Sequence, residues 1–373
     1  MVLGQKIKQP DGYWAFVPNP FPPAGLLEFS QEIITKAAKA ERLIGKLDGI
    51  THVLPDVDFF LSMYVVKDAA SSAQIEGTKA TIMDALEMSA GVNVIDTDAN
   101  DILHYISAFH YGTKRLQEFP FSLRFIRELH KKLMIDARST HFADPGEFRK
   151  SQNWIGGSNL SNARYVPPPI AEMHKALADL EEFLHDDAIM PVLQVGILHA
   201  QFETIHPFLD GNGRAGRLLI TLFLAERAVL EKPVLFLSSF FKKNQQLYYD
   251  KLNAYHNNDC ESWLNFFLDG VIETADQSIE TSKKITALRE ADMRKIQSLG
   301  KREATSGVSF LQQLFKNPVV SIGTVARNMN YSRVGASKLI DRFVELGVLT
   351  LQNDTAKYGK TYKYKDYIKI FTD

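Results

Sequence analysis

Residues 206–217 read His-Pro-Phe-Leu-Asp-Gly-Asn-Gly-Arg-Ala-Gly-Arg, and this stretch says most about what the chain is. Apolar residues with helical spacing lie on both sides of it, at 190–204 and 217–230. The stretch is therefore predicted as a loop between two helices, with residues 211–214 opening the second one. It combines an imidazole, a carboxylate, a glycine-rich turn and two guanidiniums.

The loop supplies the groups that a polyphosphate needs. A helix N-terminus presents unpaired N–H groups to an anion, and Gly211 and Gly213 let the backbone approach it closely. Arg214 and Arg217, three residues apart on one helix, are placed to contact the outer phosphates. Asp210 is predicted to hold a Mg²⁺ ion that bridges phosphates.

His206 precedes this cradle and is the candidate general base, because an ordinary pKa near ~6.5 leaves much of the imidazole neutral in cells. Each of these residues alone is more often structural, but no fold requires all of them around one turn. A calcium loop does not fit, since Thr221 stands at the twelfth position counted from Asp210. The stretch is neither a Walker A loop nor a dinucleotide fingerprint.

Composition sets broad limits. A chain of 373 residues with 45% hydrophobic content has room for two or three domains. The net charge of −1 argues against a nucleic-acid or membrane-surface binder over the whole chain. Cys260 is the single cysteine, so no intrachain disulfide forms, which suits a reducing compartment. With no signal peptide or membrane-spanning run in the sequence, we expect a cytoplasmic protein without membrane contact.

The chain is predicted to be mainly α-helical, with a small β-hairpin flap and a C-terminal winged helix. Prolines and aromatic residues up to about residue 24 predict an extended strap. A helix is expected over about 58–77, ended by Gly77, and a hairpin over 153–167. The predicted divisions are an N-terminal region (1–110), a catalytic core (111–275), a polar helical linker (276–304) and the winged helix-turn-helix (305–373).

The C-terminal pattern indicates three helices and a hairpin, with Ser321 and Ser332 as helix caps. Residues 305–373 hold ten Lys/Arg against five Asp/Glu, an excess of five positive charges. DNA contact and protein docking are equally supported. The residues predicted to face DNA are Arg333, Ser337 and Lys338 on the recognition helix and Lys357, Lys360 and Lys363 on the wing.

The 206–217 stretch resembles the signature of the Fic (Fic/Doc) family of AMP-transferring enzymes. The resemblance spans most of residues 20–270 and includes Pro-Gly-Glu-Phe-Arg at 145–149 and a region at 154–167 that is similar to the family's target-docking flap. The matching signature residues are His206, Phe208, Asp210, Gly211, Asn212, Gly213, Arg214 and Arg217.

The resemblance implies a reaction and a role for each residue. His206 takes the proton of a Tyr, Thr or Ser hydroxyl on a target protein or on the protein itself, and that oxygen attacks the α-phosphorus of ATP. Asp210 holds Mg²⁺, and Phe208 anchors the loop. The flap residues Arg164, Tyr165 and Val166 dock the target by main-chain pairing. The ATP-binding residues are Gly211, Asn212, Gly213, Arg214, Ala215, Gly216, Arg217 and, flanking the adenine, Tyr248 and Tyr249, for which core packing is the alternative.

A second segment, Ser72-Ala73-Gln74-Ile75-Glu76-Gly77, resembles the inhibitory motif of the same family. Ser72 and Glu76 lie one helical turn apart. The resemblance implies that Glu76 pairs with Arg217 and so removes the guanidinium that would hold the γ-phosphate. A similar glutamate in some relatives supports AMP removal, so both directions of reaction stay open.

The competing interpretation is a DNA-binding regulator whose loop only senses nucleotide. The intact base, carboxylate and arginines favour the enzyme. The resemblance implies that Gly213 disfavours transfer of another phosphate-containing group, because the kinase-like relatives differ at this position. The sequence leaves open the target, the acceptor hydroxyl, homodimer formation and the signal that relieves Glu76.

Overall fold

Helices make up most of the computed structural model, as the sequence predicts, and it describes residues 2–53, 57–91, 97–135, 144–352 and 360–372. The helices in this part are α1 Gln31–Val53, α2 Val57–Ile75, α3 Ile82–Ser89, α4 Thr97–Arg115, α5 Leu123–Met134, α6 Ile170–Leu184, α7 Pro191–Ile205, α8 Asn212–Glu226, α9 Ser238–Lys243, α10 Gln245–His256, α11 Cys260–Gln297, α12 Lys301–Lys316, α13 Ile322–Asn328, α14 Arg333–Glu345 and α15 Lys365–Thr372. The strands are β1 Gly4–Lys8, β2 Trp14–Pro18, β3 Val319–Ser321, β4 Thr350–Leu351 and β5 Thr361–Lys363.

The helix α7 lies at the centre of the fold. It begins with Pro191, whose missing N–H costs nothing at that position, and nearly every residue along it is buried. It has no polar face because α1, α6, α8, α10 and α11 all pack around it. The loop 206–211 joins α7 to α8, which packs in turn on α2, α4 and α5.

The helix α2 ends at Ile75, and Gly77 follows in a left-handed conformation with φ of +90°, which confirms it as the terminator. This helix packs against α4, α8 and α9 and also against α12 and α15 near the C-terminus. The ring of Tyr64 meets that of Phe371 edge-on at 5.3 Å between centroids. The C-terminal residues are thus part of the surroundings of α2.

Two β predictions need correction. The N-terminal strap is a hairpin, since β1 pairs antiparallel with β2, because an extended backbone must find partners for its N–H and C=O groups. Conversely, residues 153–167 form a single bridge between Ile155 and Tyr165 instead of a hairpin. The side chain of Asn162 accepts hydrogen bonds from the N–H groups of Ser158 and Asn159, so the loop is held by side-chain bonds and not by a ladder.

The C-terminal region has the predicted order of helices and strands, with Ser321 and Ser332 as side-chain caps. It adds β3, which pairs with β5 beside β4, and the final helix α15. Helix α11 crosses residue 276, and α12 begins at 301, so helices run through both ends of the predicted linker. Lys357 of the predicted wing lies outside the described residues.

Within the described ranges, no helix combines the length and the apolar character that crossing a membrane requires.

Candidate functional site

The loop after α7 holds His206 in an unusual backbone conformation. His206 is the C-cap of α7, with φ of 49° and ψ of 61°, a left-handed region that non-glycine residues adopt at a cost. Its N–H donates to the carbonyl of Phe202 at 2.9 Å, and its carbonyl accepts from Nε of Arg149 at 3.0 Å. These two bonds fix the point at which the chain leaves the helix.

Arg149 acts as a brace for this loop. Its guanidinium also donates to the carbonyl of Pro168 at 2.5 Å, and its backbone N–H donates to the carbonyl of Pro207 at 2.8 Å. The side chain is fully buried, and burial lowers the pKa of Arg149 to about 10, so it stays charged at neutral pH. A buried cation bound by carbonyls is costly to displace, which makes the loop rigid.

Asn212, the first residue of α8, closes the loop from the other side. Its Oδ1 accepts from the N–H of Phe208 at 2.9 Å, and its Nδ2 donates to the carbonyl of Phe208 at 2.8 Å. Nδ2 of Asn153 donates to the same carbonyl at 2.8 Å. The Asn212 side chain is thus committed to the loop, and what it offers an anion is its backbone N–H.

Phe208 stacks on the ring of His130, with centroids 3.6 Å apart and the planes 1° from parallel. The N–H of Gly146 donates to Nδ1 of His130 at 2.9 Å, so the proton of the neutral ring is on Nε2, which donates to the carbonyl of Asp210 at 2.9 Å. Burial lowers the pKa of His130 to about 4. His130 therefore anchors the turn at 210–213, a role that the sequence did not indicate.

Residues 211 and 213 of the turn are glycine for different physical reasons. Gly211 has φ of +78°, and a Cβ there would lie 2.5 Å from Sδ of Met134. A Cβ on Gly213 would overlap Oε1 of Glu76 and lie 2.9 Å from Nη1 of Arg217. The first glycine is needed for the turn, and the second leaves room for a carboxylate at the positive end of α8.

Glu76 and Arg217 form the ion pair that the inhibitory motif implies. Oε1 of Glu76 lies 2.6 Å from Nη2 of Arg217. Nε of Arg217 donates to the hydroxyl of Ser72 at 2.9 Å, and Nη2 donates to the Ser72 carbonyl at 3.1 Å. Burial lowers the pKa of Arg217, but the charge and hydrogen bond of Glu76, together with the charges of Tyr248 and Glu203, outweigh it, and the net shift is upward. Arg217 stays cationic and is engaged by α2.

Arg214 is directed elsewhere. It is buried, with Nη1 3.4 Å from Oδ2 of Asp101 and Nη2 3.9 Å from Oδ2 of Asp210. Among the described residues that line the cavity at this turn, Arg214, Ala215 and Gly216 do not appear, although the sequence places them in the ATP site. All three are buried, so of the two arginines in the 206–217 stretch Arg217 is the one that lines the cavity.

Asp210 lines the cavity with a side chain that is 44% exposed, and its Oδ1 accepts from the N–H of Gly211 at 2.6 Å. No cluster of three His, Cys, Asp or Glu side chains with metal-binding geometry occurs within the described ranges. One accessible carboxylate fits Mg²⁺, which takes few protein ligands and completes its shell with phosphate oxygens and water.

The cavity measures about 510 Å³ and brings together most of the predicted site. It contains Glu76, His206, the turn at 210–213 and Arg217, with Tyr248 and Tyr249 on the wall formed by α10. The Tyr248 hydroxyl is 2.9 Å from Nε2 of His199, whose Nδ1 bonds to the Gly216 carbonyl at 3.0 Å. Tyr248 is thus buried and hydrogen-bonded, as its alternative reading as a core residue requires.

Tyr249 is half-buried, and its hydroxyl lies 3.4 Å from the carbonyl of Ile75, the last residue of α2. Nε2 of Gln245, one turn earlier on α10, donates to the same carbonyl at 3.0 Å. Helix α10 therefore holds the end of α2 that carries Glu76.

The flap residues have distinct surroundings. Nη2 of Arg164 pairs with Asp250 of α10 at 3.0 Å, with both side chains half exposed. Tyr165 is buried, and its hydroxyl donates to the Thr204 carbonyl at 2.8 Å. The carbonyl of Val166 accepts from the N–H of Phe16 in β2 at 2.9 Å, so the N-terminal hairpin already pairs with this edge.

The electrostatics of the cavity favour a neutral base. Burial, reinforced by the charge of Arg149, lowers the pKa of His206 to about 4, so its ring is neutral at pH 7 and able to take a proton. Burial raises the pKa of Glu203, one turn earlier on α7, to about 7. Sequence reasoning missed Glu203, although a glutamate inside an apolar helical run indicates a buried carboxylate.

Known proteins resemble this chain over segments that include Glu76 and the loop at 206–211. The Fic/DOC family model matches residues 120–224, and the model of the Fic/DOC family N-terminal region matches residues 34–114. Protein adenylyltransferase Fic of Drosophila virilis is 29% identical over 216 residues, which cover 55% of this chain and 41% of the relative. The Drosophila melanogaster protein of the same name is 28% identical over 216 residues, with coverage of 55% and 40%. This chain thus spans less than half the length of these relatives.

Two solved structures share the fold. A Fic family protein from Desulfovibrio desulfuricans G20 has a TM-score of 0.58 at 19% identity and covers 90% of this chain and 96% of its own. A fragment of Fic-1 from C. elegans has a TM-score of 0.53 at 18% identity and covers 68% of this chain and 73% of its own. At these identities the likeness establishes the architecture alone.

Proposed function

Because this chain belongs to the Fic/DOC family, with matches at residues 34–114 and 120–224, we propose that it is a protein adenylyltransferase. It moves AMP from ATP to a Tyr, Thr or Ser hydroxyl of a target protein or of itself. The observation that carries this proposal is that a neutral imidazole, His206, shares one cavity with the N-terminus of α8 and with Arg217.

The reaction follows from this placement. The acceptor oxygen forms a bond to the α-phosphorus of ATP, and its proton passes to the ring of His206. The bond between the α-phosphorus and the oxygen bridging to the β-phosphate breaks, and pyrophosphate leaves. The backbone N–H groups of 211–213 and Arg217 neutralise the phosphates, since this chemistry depends on positioning and charge. Mg²⁺ held by Asp210 would add charge neutralisation.

In the proposal the described conformation is the inhibited one. Glu76 engages Arg217, so the guanidinium is not available to a γ-phosphate, and the carboxylate beside Gly213 repels a triphosphate. ATP bound with Glu76 in place would therefore lie in a non-productive pose. Activity requires that Glu76 moves away from the turn.

The target segment is proposed to dock on flap residues that line the cavity, namely Trp154, Ile155, Gly156, Arg164 and Tyr165. Trp154 is 41% exposed, which is high for so large an apolar side chain. Main-chain pairing is tolerant of sequence, so this surface selects an extended segment more than a particular motif.

The test is incubation of the full chain with isotope-labelled ATP and Mg²⁺, followed by mass analysis for AMP on the protein and on lysate proteins. We expect AMP on a hydroxyl side chain with Glu76→Gly and none with the double variant Glu76→Gly/His206→Ala. Transfer that persists without His206, or no transfer by Glu76→Gly on any protein, would contradict the proposal.

A second function, DNA binding by residues 305–373, is supported by the exposed start of α14. Arg333, Val334 and Lys338 face solvent on this helix, as a recognition helix requires. A gel shift at two salt concentrations tests it, because phosphate contacts weaken steeply as salt increases. Unchanged mobility at low salt would leave protein docking as the role of this region.

A further inference from the structure

Glu203 and His206 face each other with unsatisfied buried atoms. Glu203 is buried in the last turn of α7, and its Oε2 lies 3.7 Å from Nδ1 of His206. Within the described residues, neither this Nδ1 nor Oε1 of Glu203 has a hydrogen-bond partner, although both are inaccessible to solvent. Buried polar atoms without partners are rare and costly, so the arrangement needs an explanation beyond stability.

The opposite helix makes room for this carboxylate. A Cβ on Gly216 of α8 would lie 2.6 Å from Oε1 of Glu203, so a larger residue there would push Glu203 from its position. Among the described residues, Arg217 is the cation that acts on Glu203, and its Nε and Nη2 are bound to Ser72 and Glu76. In this part of the chain, a fixed ion pair with Arg or Lys therefore does not account for the burial of Glu203.

We propose that Glu203 is the positioning residue for His206. Its carboxylate accepts the Nδ1–H of the imidazole after a closure of less than 1 Å, which leaves Nε2 as the nitrogen that takes the acceptor's proton. A carboxylate in this position fixes the tautomer and stabilises the imidazolium that forms during transfer. The inference rests on the proposed function, since it names the residue that positions the proposed general base.

The charges around Glu203 set the pH at which it can do this. Burial raises its pKa to about 7, Arg217 opposes that shift, and Glu76 adds to it. Tyr248 and Tyr249 face the same carboxylate from α10 and are neutral at this pH. The pKa of His206 is lowered to about 4 by burial, so we expect AMP transfer to rise with pH as Glu203, and not His206, ionises.

The kinetic test uses Glu203→Gln in a Glu76→Gly background. We expect kcat to fall about tenfold to a hundredfold with an unchanged KM for ATP. The rise of the rate with pH should also disappear; in this background it lies below about pH 7, because the charge of Glu76 no longer raises the pKa of Glu203. The matched control is Glu41→Gln, because Glu41 is a carboxylate at the other end of α7, where it accepts from the N–H of Val192 at 3.3 Å. Its pKa is likewise raised by burial, and the rate profile should not change.

The second test does not depend on AMP transfer. Nitrogen NMR of labelled histidine in the unsubstituted protein should show the His206 ring with its proton on Nδ1 and a response near pH 7 as Glu203 ionises. In Glu203→Gln this response should vanish. A His206 signal that is constant between about pH 6 and 8 in the unsubstituted protein would overturn the proposal. If the response is present but no AMP is transferred, the proposed function fails and the positioning role stands.

Discussion

Oε1 of Glu76 lies 2.6 Å from Nη2 of Arg217, and the same oxygen fills the space beside Gly213 where a side chain would begin. One carboxylate thus engages Arg217, which lines the cavity, and covers the N-terminal turn of α8. In the proposed mechanism, inhibition by Glu76 and phosphate binding at the start of α8 therefore need the same space.

Removing the carboxylate should activate the enzyme. Glu76→Gly frees Arg217, and since Glu76 is 40% exposed, we discount the pair to about 1–2 kcal/mol, which corresponds to about a tenfold gain in AMP transfer. Glu76→Gln keeps the shape and removes the charge, so it should give an intermediate rate. Labelled-ATP incorporation measures both, and equal rates for all three proteins would show that the ion pair does not inhibit.

A side chain at residue 213 should impair ATP binding even when the Glu76 carboxylate is absent. In a Glu76→Gly background, Gly213→Ala adds a Cβ 2.9 Å from Nη1 of Arg217, within the space proposed for the phosphates. We expect the KM for ATP to rise about tenfold or more. The control is Gly323→Ala in α13, where the added Cβ has no neighbour closer than 3.7 Å. An unaltered KM would show that phosphates bind elsewhere.

The hydrogen bond from Gln245 of α10 to the Ile75 carbonyl at the end of α2 should help to keep Glu76 on Arg217 and so strengthen the proposed inhibition. Gln245→Ala removes the 3.0 Å bond to the Ile75 carbonyl, so Glu76 should leave Arg217 more readily and AMP transfer should rise a few-fold, equivalent to about 1 kcal/mol. Gln246→Ala is the matched control, since this neighbour bonds to exposed Asp250. A gain of equal size in both variants would point to a general loosening of α10.

Acid should destabilise the fold through its buried histidines. Burial lowers the pKa values of His130 and His206 to about 4 and those of His199 and His256 to about 3, below their ordinary 6.5. Between about pH 5 and 6 the unfolded chain therefore binds four more protons on these residues, while the folded chain binds one more on Glu203.

For these five groups, the free energy of unfolding should fall as pH decreases below about 6.5, by about 4 kcal/mol per pH unit at most. Urea unfolding at several pH values measures this slope. Glu203→Gln should make it steeper, because its opposing proton is gone. A flat profile would mean that the histidines protonate in the folded state.

The sequence alone predicted those features that depend on residues close together along the chain. The turn at 206–217 is contiguous, Ser321 and Ser332 cap the helices that directly follow them, and Gly77 ends α2 within one turn. Ser72 and Glu76 were identified by the resemblance of residues 72–77 to the family's inhibitory motif, which is likewise contiguous. These features depend on chain neighbours, so residue type and spacing determine them.

What the sequence could not supply depends on packing between distant segments. Arg214 and Arg217 share a spacing that suggests one role, but only the positions of Asp101 and Ser72 separate them. The pairing of Phe16 with Val166 joins residues 150 positions apart, which no periodicity encodes. Likewise, His130 belongs to an apolar helix face, and its bond to the Asp210 carbonyl follows from how α5 meets the loop.

Because Tyr64 and Phe371 pack edge-on, the helix α15 is one of the elements that hold α2 in place. Cutting the chain ahead of α15 would bare an aromatic surface of α2 to water, at a cost of roughly 1–3 kcal/mol for a ring of this size. A fragment that ends before α15 is thus not equivalent to the same residues in the whole chain, because α2 has lost a neighbour in it.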